Sequence, residues 1–186
     1  KPFFMKQFIA IICLAVTVAG CNNASTTTSG TDSTATASKT AGEVALPFKL
    51  DKPYKNWQIG STENVVAAMA ALKAFADKDF KALANGLGDS VALKFDYFHA
   101  TLSRDSTIAM FTAQRALYND YVITMYDYES VISADKKDEY VTMWYKQSWK
   151  DAKGVADSVS VVNDCKMKNG KMIELDEKVQ HYPQKK

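Results

Sequence analysis

The alternation of apolar and polar positions changes character five times along the chain, and each change predicts a new segment. Phe8 to Val18 (FIAIICLAVTV) is apolar throughout except at Thr17, whereas Asn22 to Thr40 shows no pattern. From Ser61 the apolar spacing becomes three to four residues. Val65, Met69, Leu72, Ala76, Phe80 and Leu83 then form one stripe, which predicts a helix capped by Ser61 and ended by Gly86 and Gly88. Asp77-Lys78-Asp79 divides that stretch into a long helix and a short one, because Asp competes with the backbone for hydrogen bonds. Val91 to Phe98 has a strand pattern, and Ser103 opens a second helical stretch with Ile108, Phe111, Arg115 and Tyr118 on one side. Beyond Asn119 the residues are β-branched and aromatic in three long runs: Tyr121 to Ile132, Tyr140 to Trp149, and Val155 to Tyr182, the last folded at Asn169-Gly170. The predicted class is α+β, with helices covering one face of an antiparallel sheet.

The register of the last hairpin follows from its faces. A two-residue Asn169-Gly170 turn sets Asp164 beside Leu175 and mixes polar with apolar. A three-residue loop, Lys168 to Gly170, makes the faces coherent: Cys165 meets Ile173, Asn163 meets Leu175 and Val159 meets Val179. The same register sets Asp157 opposite His181, the one acid–imidazole pair that the pattern places in contact.

Composition adds an address. A length of 186 residues with 47% hydrophobic content suits one ordinary domain and excludes collagenous, disulfide-framework and wholly disordered classes. Lys1 and Lys6, then the apolar run, then Val18-Ala19-Gly20 before Cys21 form a secretory signal, too short for a bilayer-spanning helix of ~20 residues. Met5 before Lys6 is the expected start of translation. Val18-Ala19-Gly20-Cys21 resembles a bacterial lipobox, which implies cleavage before Cys21 and its diacylation. Losing Lys1 and Lys6 brings 23 basic residues down to 21, equal to the 21 acidic ones, and a neutral chain argues against nucleic acid as partner. Cys13 leaves with the signal and Cys21 carries lipid, so Cys165 stands alone and is expected to be a buried structural thiol. The Ser, Thr and Ala of 22–40 bury too little to offset their ordering entropy and read as a disordered tether. The expected organisation is 1–20 signal peptide, 21–46 tether and 47–186 folded domain.

The segments AFADKDFKALANGLGDSVAL, SRDSTIAMF, VTMWY, GVADSVSV and NGKMIEL together resemble the NTF2-like, or SnoaL-like, superfamily over roughly Trp57 to Tyr182. KNWQIGSTENV is similar to lead-ins of superfamily lipoproteins from Bacteroidetes. The resemblance implies a curved sheet wrapped around helices in a cone, an apolar cavity, and a homodimer through the open sheet face. It also implies a lipid-anchored place in the cell envelope, on the periplasmic side of the outer membrane. Enzymes of the superfamily, among them ketosteroid isomerases, scytalone dehydratases and polyketide cyclases, place Asp, Tyr or His in the cavity as acid and base. Here Asp96, near the end of the first strand, stands close to where the isomerases place the base, while the stripe of the first helix holds no Tyr or Asp.

The remaining chemistry is sparse. His99 and His181 have no second His or carboxylate at metal-ligand spacing, so neither metal nor cofactor is expected. There is no phosphate loop and no G-x-S-x-G elbow. The catalytic candidates are Asp157, His181, Asp96 and His99; the candidates for lining a ligand pocket are Tyr97, Tyr126, Trp144 and Tyr145. Two functions fit. The first is a lipid-anchored module that binds an apolar small molecule or a partner protein without catalysis. The alternative is a SnoaL-like isomerase, cyclase or dehydratase using general acid–base catalysis.

Overall fold

The computed structural model describes residues 46–96 and 98–182. The signal, Cys21 and nearly all of the tether therefore lie outside the described residues, as does Tyr97. The described elements are β1 (Gln58–Ile59), α1 (Thr62–Ala76), α2 (Phe80–Gly86), β2 (Leu87–Phe95), β3 (Phe98–Ser103), α3 (Arg104–Ala116), β4 (Asn119–Ile132), β5 (Glu139–Lys150), β6 (Ala156–Lys168) and β7 (Lys171–His181). The strands form one sheet in the order β1-β4-β5-β6-β7-β2-β3. Neighbours are antiparallel except β2 and β7, which run parallel, so the sheet is mixed. Among the described residues no helix is long and apolar enough to cross a membrane.

Capping explains the helix boundaries. The hydroxyls of Ser61 and Ser103 accept hydrogen bonds from the amides of Asn64 and Ser106, at 3.2 Å each. Asp79 caps α2 through the Ala82 amide at 2.9 Å, and Lys78 takes a positive φ of 63° at the break between α1 and α2. Gly86 closes α2, but Gly88 lies inside β2. The strand-like segment expected from Val91 to Phe98 is in fact divided between β2 and β3, which pair as a hairpin up to Phe95 and Phe98. On α1 the side chains buried against the sheet are Val65, Ala68, Ala71 and Ala74, and Met69 and Leu72 are only partly buried. The helix is apolar nearly all round, so the larger side chains suggested one face while the alanines, which permit closest approach, took it.

The β6–β7 hairpin corrects the expected register. Lys168 pairs with Lys171 across a two-residue turn in which Asn169 and Gly170 both have positive φ, 52° and 70°, as a type I′ turn requires. The register then slips by one at Ile173, so that Cys165 faces Leu175, Asn163 faces Glu177 and Val161 faces Val179. The bulge restores face coherence, as the three-residue loop was expected to do, but moves every partner two residues along β7. His181 accordingly faces Val159, while Asp157 faces Trp149 on β5, and both candidates are exposed. The expected Asp157–His181 pair is not formed.

The sheet's two faces differ chemically. Val141, Met143, Tyr145, Val159, Val161, Cys165, Met172 and Leu175 are buried beneath the helices. The opposite face is a lattice of ion pairs: Lys94 with Glu174 at 2.7 Å, and Lys178 with Asp164 at 3.1 Å and Asp176 at 3.0 Å.

One charge crosses into the helical side. Arg115 on α3 is 5% exposed. Its Nε and Nη2 donate to the carbonyl of Ala76, the last residue of α1, at 3.1 and 2.9 Å, and Nη1 donates to the Tyr118 carbonyl at 2.7 Å. The guanidinium also lies 4.5 Å from the centre of the Tyr121 ring. Arg115→Met keeps the apolar stem but leaves two carbonyls without their donor, and the expected loss is about 3 kcal/mol by urea denaturation. Arg115→Lys should recover only part of this, because an ammonium cannot reproduce the fork.

Candidate functional site

The helices and the inner face of the sheet enclose a cavity of about 60 Å³, counted as space open to the centre of a water molecule. That is room for about five waters, below the ~150 Å³ that holds a benzene ring, and the cavity opens to solvent, so a larger body would extend into its mouth. Its walls are apolar where α1, α2 and α3 contribute Leu72, Phe75, Leu83 and Phe111, and where the sheet contributes Phe95, Met143, Met172 and Leu175. Polar groups come from inward positions of four successive strands, Tyr121 on β4, Tyr145 and Gln147 on β5, Asn163 on β6 and Glu177 on β7, and from Gln114 on α3 and Tyr118 just past it. A bulge at the start of β4, between Asn119 and Val122, aims Tyr121 inward.

These groups form two linked sets. The Tyr121 hydroxyl donates to Gln147 Oε1 at 2.6 Å. The Asn163 amide donates to the Tyr145 hydroxyl oxygen at 3.0 Å and hydrogen-bonds the Glu177 carboxylate, while Asn163 Oδ1 is buried with no partner. The Glu177 residue keeps some exposed surface along its strand, but its carboxyl sits deep among protein atoms. Burial, reinforced by the charge of Asp96, pushes that carboxyl up to about 7, and the Asn163 hydrogen bond opposes the rise. Burial likewise raises the Tyr121 and Tyr145 hydroxyls, so both remain protonated donors at neutral pH. A carboxyl poised near neutrality can give or take a proton, which sets Glu177 apart from the paired acids of the outer face.

The candidates read from sequence distribute unevenly around this cavity. Tyr145 lines it and is 1% exposed. Trp144 alternates to the opposite face of β5, beside Val162. Tyr126 is the extra residue of a bulge between Met125 and Asp127, 56% exposed and hydrogen-bonded to Tyr182, so it does not line the cavity. Asp96 is exposed at the β2–β3 turn, outside the walls, yet its charge acts on Glu177. His99 is exposed opposite Lys94, on the ion-paired face. Cys165 is fully buried in the core, where burial pushes its thiol up to about 12 and keeps it from acting as a nucleophile. Among the described residues no three His, Cys, Asp or Glu side chains cluster as metal ligands would. Glu177 itself is the residue that the sequence reading passed over; its signal was a lone acid between Leu175 and Val179 on the inward-facing row.

Glu177 makes stability depend on pH with a defined sign. Its folded-state value of about 7 lies above its ordinary 4.5, so the native state holds the proton more tightly than the unfolded chain. The resulting stabilisation is complete below about pH 4.5 and is lost as pH rises through about 7, on the order of 3 kcal/mol in total. Glu177→Gln should therefore gain stability relative to wild type between pH 5 and pH 8.5, measured by urea denaturation. Asp96→Asn should shift the transition to lower pH. Tyr121, Tyr145 and Cys165, which also face Glu177, do not titrate in that window.

The chain matches no family model and no curated protein. Its fold does match solved structures. An epoxide hydrolase of M. tuberculosis, described as LEH-like, is 16% identical with a TM-score of 0.52, covering 64% of this chain and 84% of that one. An NTF2-like protein of unknown function from Burkholderia pseudomallei is 12% identical with a TM-score of 0.52, covering 64% and 92%. TerC, co-crystallised with polyporic acid, is 13% identical with a TM-score of 0.52 over the same shares, 64% and 92%. With three helices on one face of a seven-stranded sheet, the described domain has the NTF2-like fold.

Proposed function

We propose that this protein is a lipid-anchored domain of the bacterial cell envelope, whose cavity binds a small, mainly apolar molecule by a polar group at Glu177. The observation that carries the reading is the combination of an apolar enclosure with convergent polar groups on one wall, the usual anatomy of a small-molecule site. Anchoring rests on the signal and on Cys21, whose acyl chains would each add ~0.8 kcal/mol per buried methylene. The tether of 21–46 would let the domain sample its surroundings from the membrane.

Two measurements test the two halves. Benzyl alcohol, a neutral probe, should bind the full chain in ligand-observed NMR, and Gln114→Trp, which fills the cavity from α3, should weaken that binding at least tenfold. Equal binding to both would place the probe elsewhere. Cys21→Ser should move the protein from the membrane fraction to the soluble one; unchanged fractionation would remove the anchor.

A second reading is favoured by one observation, the Glu177 carboxyl poised near 7. In it Glu177 acts as general base or acid on a cyclic or carbonyl-containing substrate, with the Tyr145–Asn163 pair orienting it. LEH-like hydrolases share the fold, which bears on architecture and leaves the chemistry to the site. Wild type should speed deuterium exchange into the α-positions of cyclohexanone above pH 7, and Glu177→Gln should return the rate to that of buffer. No acceleration by wild type would leave the binding function alone.

A further inference from the structure

The cavity's hydrogen-bond inventory is unbalanced. The Asn163 amide protons go to Tyr145 and Glu177, and Gln147 Oε1 is taken by Tyr121. The Asn163 Oδ1 is buried without a donor, and the Glu177 carboxylate has room for more than the one Asn163 hydrogen bond. The Tyr145 O–H and the Gln114 and Gln147 amides add donors elsewhere in the wall, so the demand for a ligand's donors is local to Asn163 Oδ1 and Glu177. A buried acceptor without a donor is destabilising, so a ligand that brings donors relieves a standing penalty.

Charge points the same way. Among the described residues no Lys, Arg or His lines the cavity. Arg115 lies against the Tyr121 ring with its N–H groups engaged by the Ala76 and Tyr118 carbonyls. Asp96, at the neighbouring turn, adds a second negative charge rather than a counter-ion. An anion entering would meet repulsion from both carboxylates. The rings of Phe75, Tyr118, Tyr121 and Tyr145 surround the same space, and aromatic rings attract cations that have shed their water.

We infer that the cavity takes a small organic ammonium ion, an amine on an aromatic or alicyclic frame, with its N–H groups on Glu177 and Asn163 and its body against the aromatic walls. The inference rests on the proposed ligand-binding reading and narrows it to one ligand class. The ammonium supplies the donor that Asn163 Oδ1 lacks and further donors for Glu177, the only carboxyl in the wall among the described residues, and neutralises its charge. Since Glu177 must be ionised to hold it, binding below pH 7 releases a proton.

Three probes of nearly equal shape separate the possibilities: benzylammonium, benzyl alcohol and benzoate, titrated calorimetrically into the full chain at pH 8. Benzylammonium should bind at least tenfold more tightly than the alcohol, and benzoate should not bind. Glu177→Gln should bring the ammonium-to-alcohol ratio below threefold, and Asp96→Asn should lower it partway. Between pH 8 and pH 5.5 the ammonium affinity should fall about tenfold or more while the alcohol's changes little. Alcohol binding as tight as ammonium binding, or a ratio unchanged in Glu177→Gln, overturns the ammonium assignment and leaves the cavity's binding role intact. Failure of all three probes overturns both.

Discussion

A guanidinium buried between two helices needs acceptors that no solvent supplies, and Arg115 finds them in backbone carbonyls. Helix ends leave carbonyls without intrahelical partners, and the guanidinium donates both to the carbonyl at the end of α1 and to the one just past α3. The exchange joins α1, α3 and the entry to β4 at one point. Phe75, Gln114, Tyr118 and Tyr121, all cavity residues, lie within a few residues of that point along the chain or directly against it. The rings around it are interlocked: Phe75 meets Phe111 and Tyr121 edge-on at 5.7 and 5.8 Å, and Tyr118 packs on Trp149 at 5.0 Å. The position of the aromatic wall is therefore set by a polar interaction outside it.

The two carboxylate populations of the sheet show how one residue type serves opposite ends. On the outer face Glu174, Asp176 and Asp164 each sit within reach of a lysine and of solvent, and their pairs add little to stability. Glu177, one residue from Asp176 and Lys178 along the same strand, has its carboxyl largely withdrawn from solvent and, among the described residues, no cation in the wall beside it. The same group in that setting is costly to ionise, and a costly charge is one that a ligand can influence.

Much of the fold was legible because local chemistry marks it. Ser61, Asp79 and Ser103 carry the hydrogen-bonding side chains that helix starts require, and the alternation in β5, β6 and β7 identifies the inward rows. What stayed hidden was whatever breaks a period without changing composition. A bulge adds one residue and leaves the alternation looking intact on either side, so Ile173 and Tyr126 were unreadable, and with them the partners of Asn163 and the outward turn of Tyr126. The two-residue β1 and the parallel contact of β2 with β7 depend on distant chain segments. The site suffered most, since attention went to histidines and aromatic clusters while the decisive group was a single acid on an apolar row.

Gly88 shows how far such a detail reaches. A side chain there would press on Cγ2 of Ile173 at 2.9 Å and on the Ser90 carbonyl at 3.3 Å, so glycine leaves the room that the extra residue of β7 occupies. Without that extra residue's accommodation, β7 would run straight from its turn and present the other half of its residues to the interior. Glu174, Asp176 and Lys178 would then look inward, and Leu175, Glu177 and Val179 would look out to water. The cavity would lose Leu175 and Glu177 from its wall and face two acids and one lysine in their place. A hydrogen atom in place of a methyl group, on a different strand, thus helps to decide which row of β7 the interior of this protein receives.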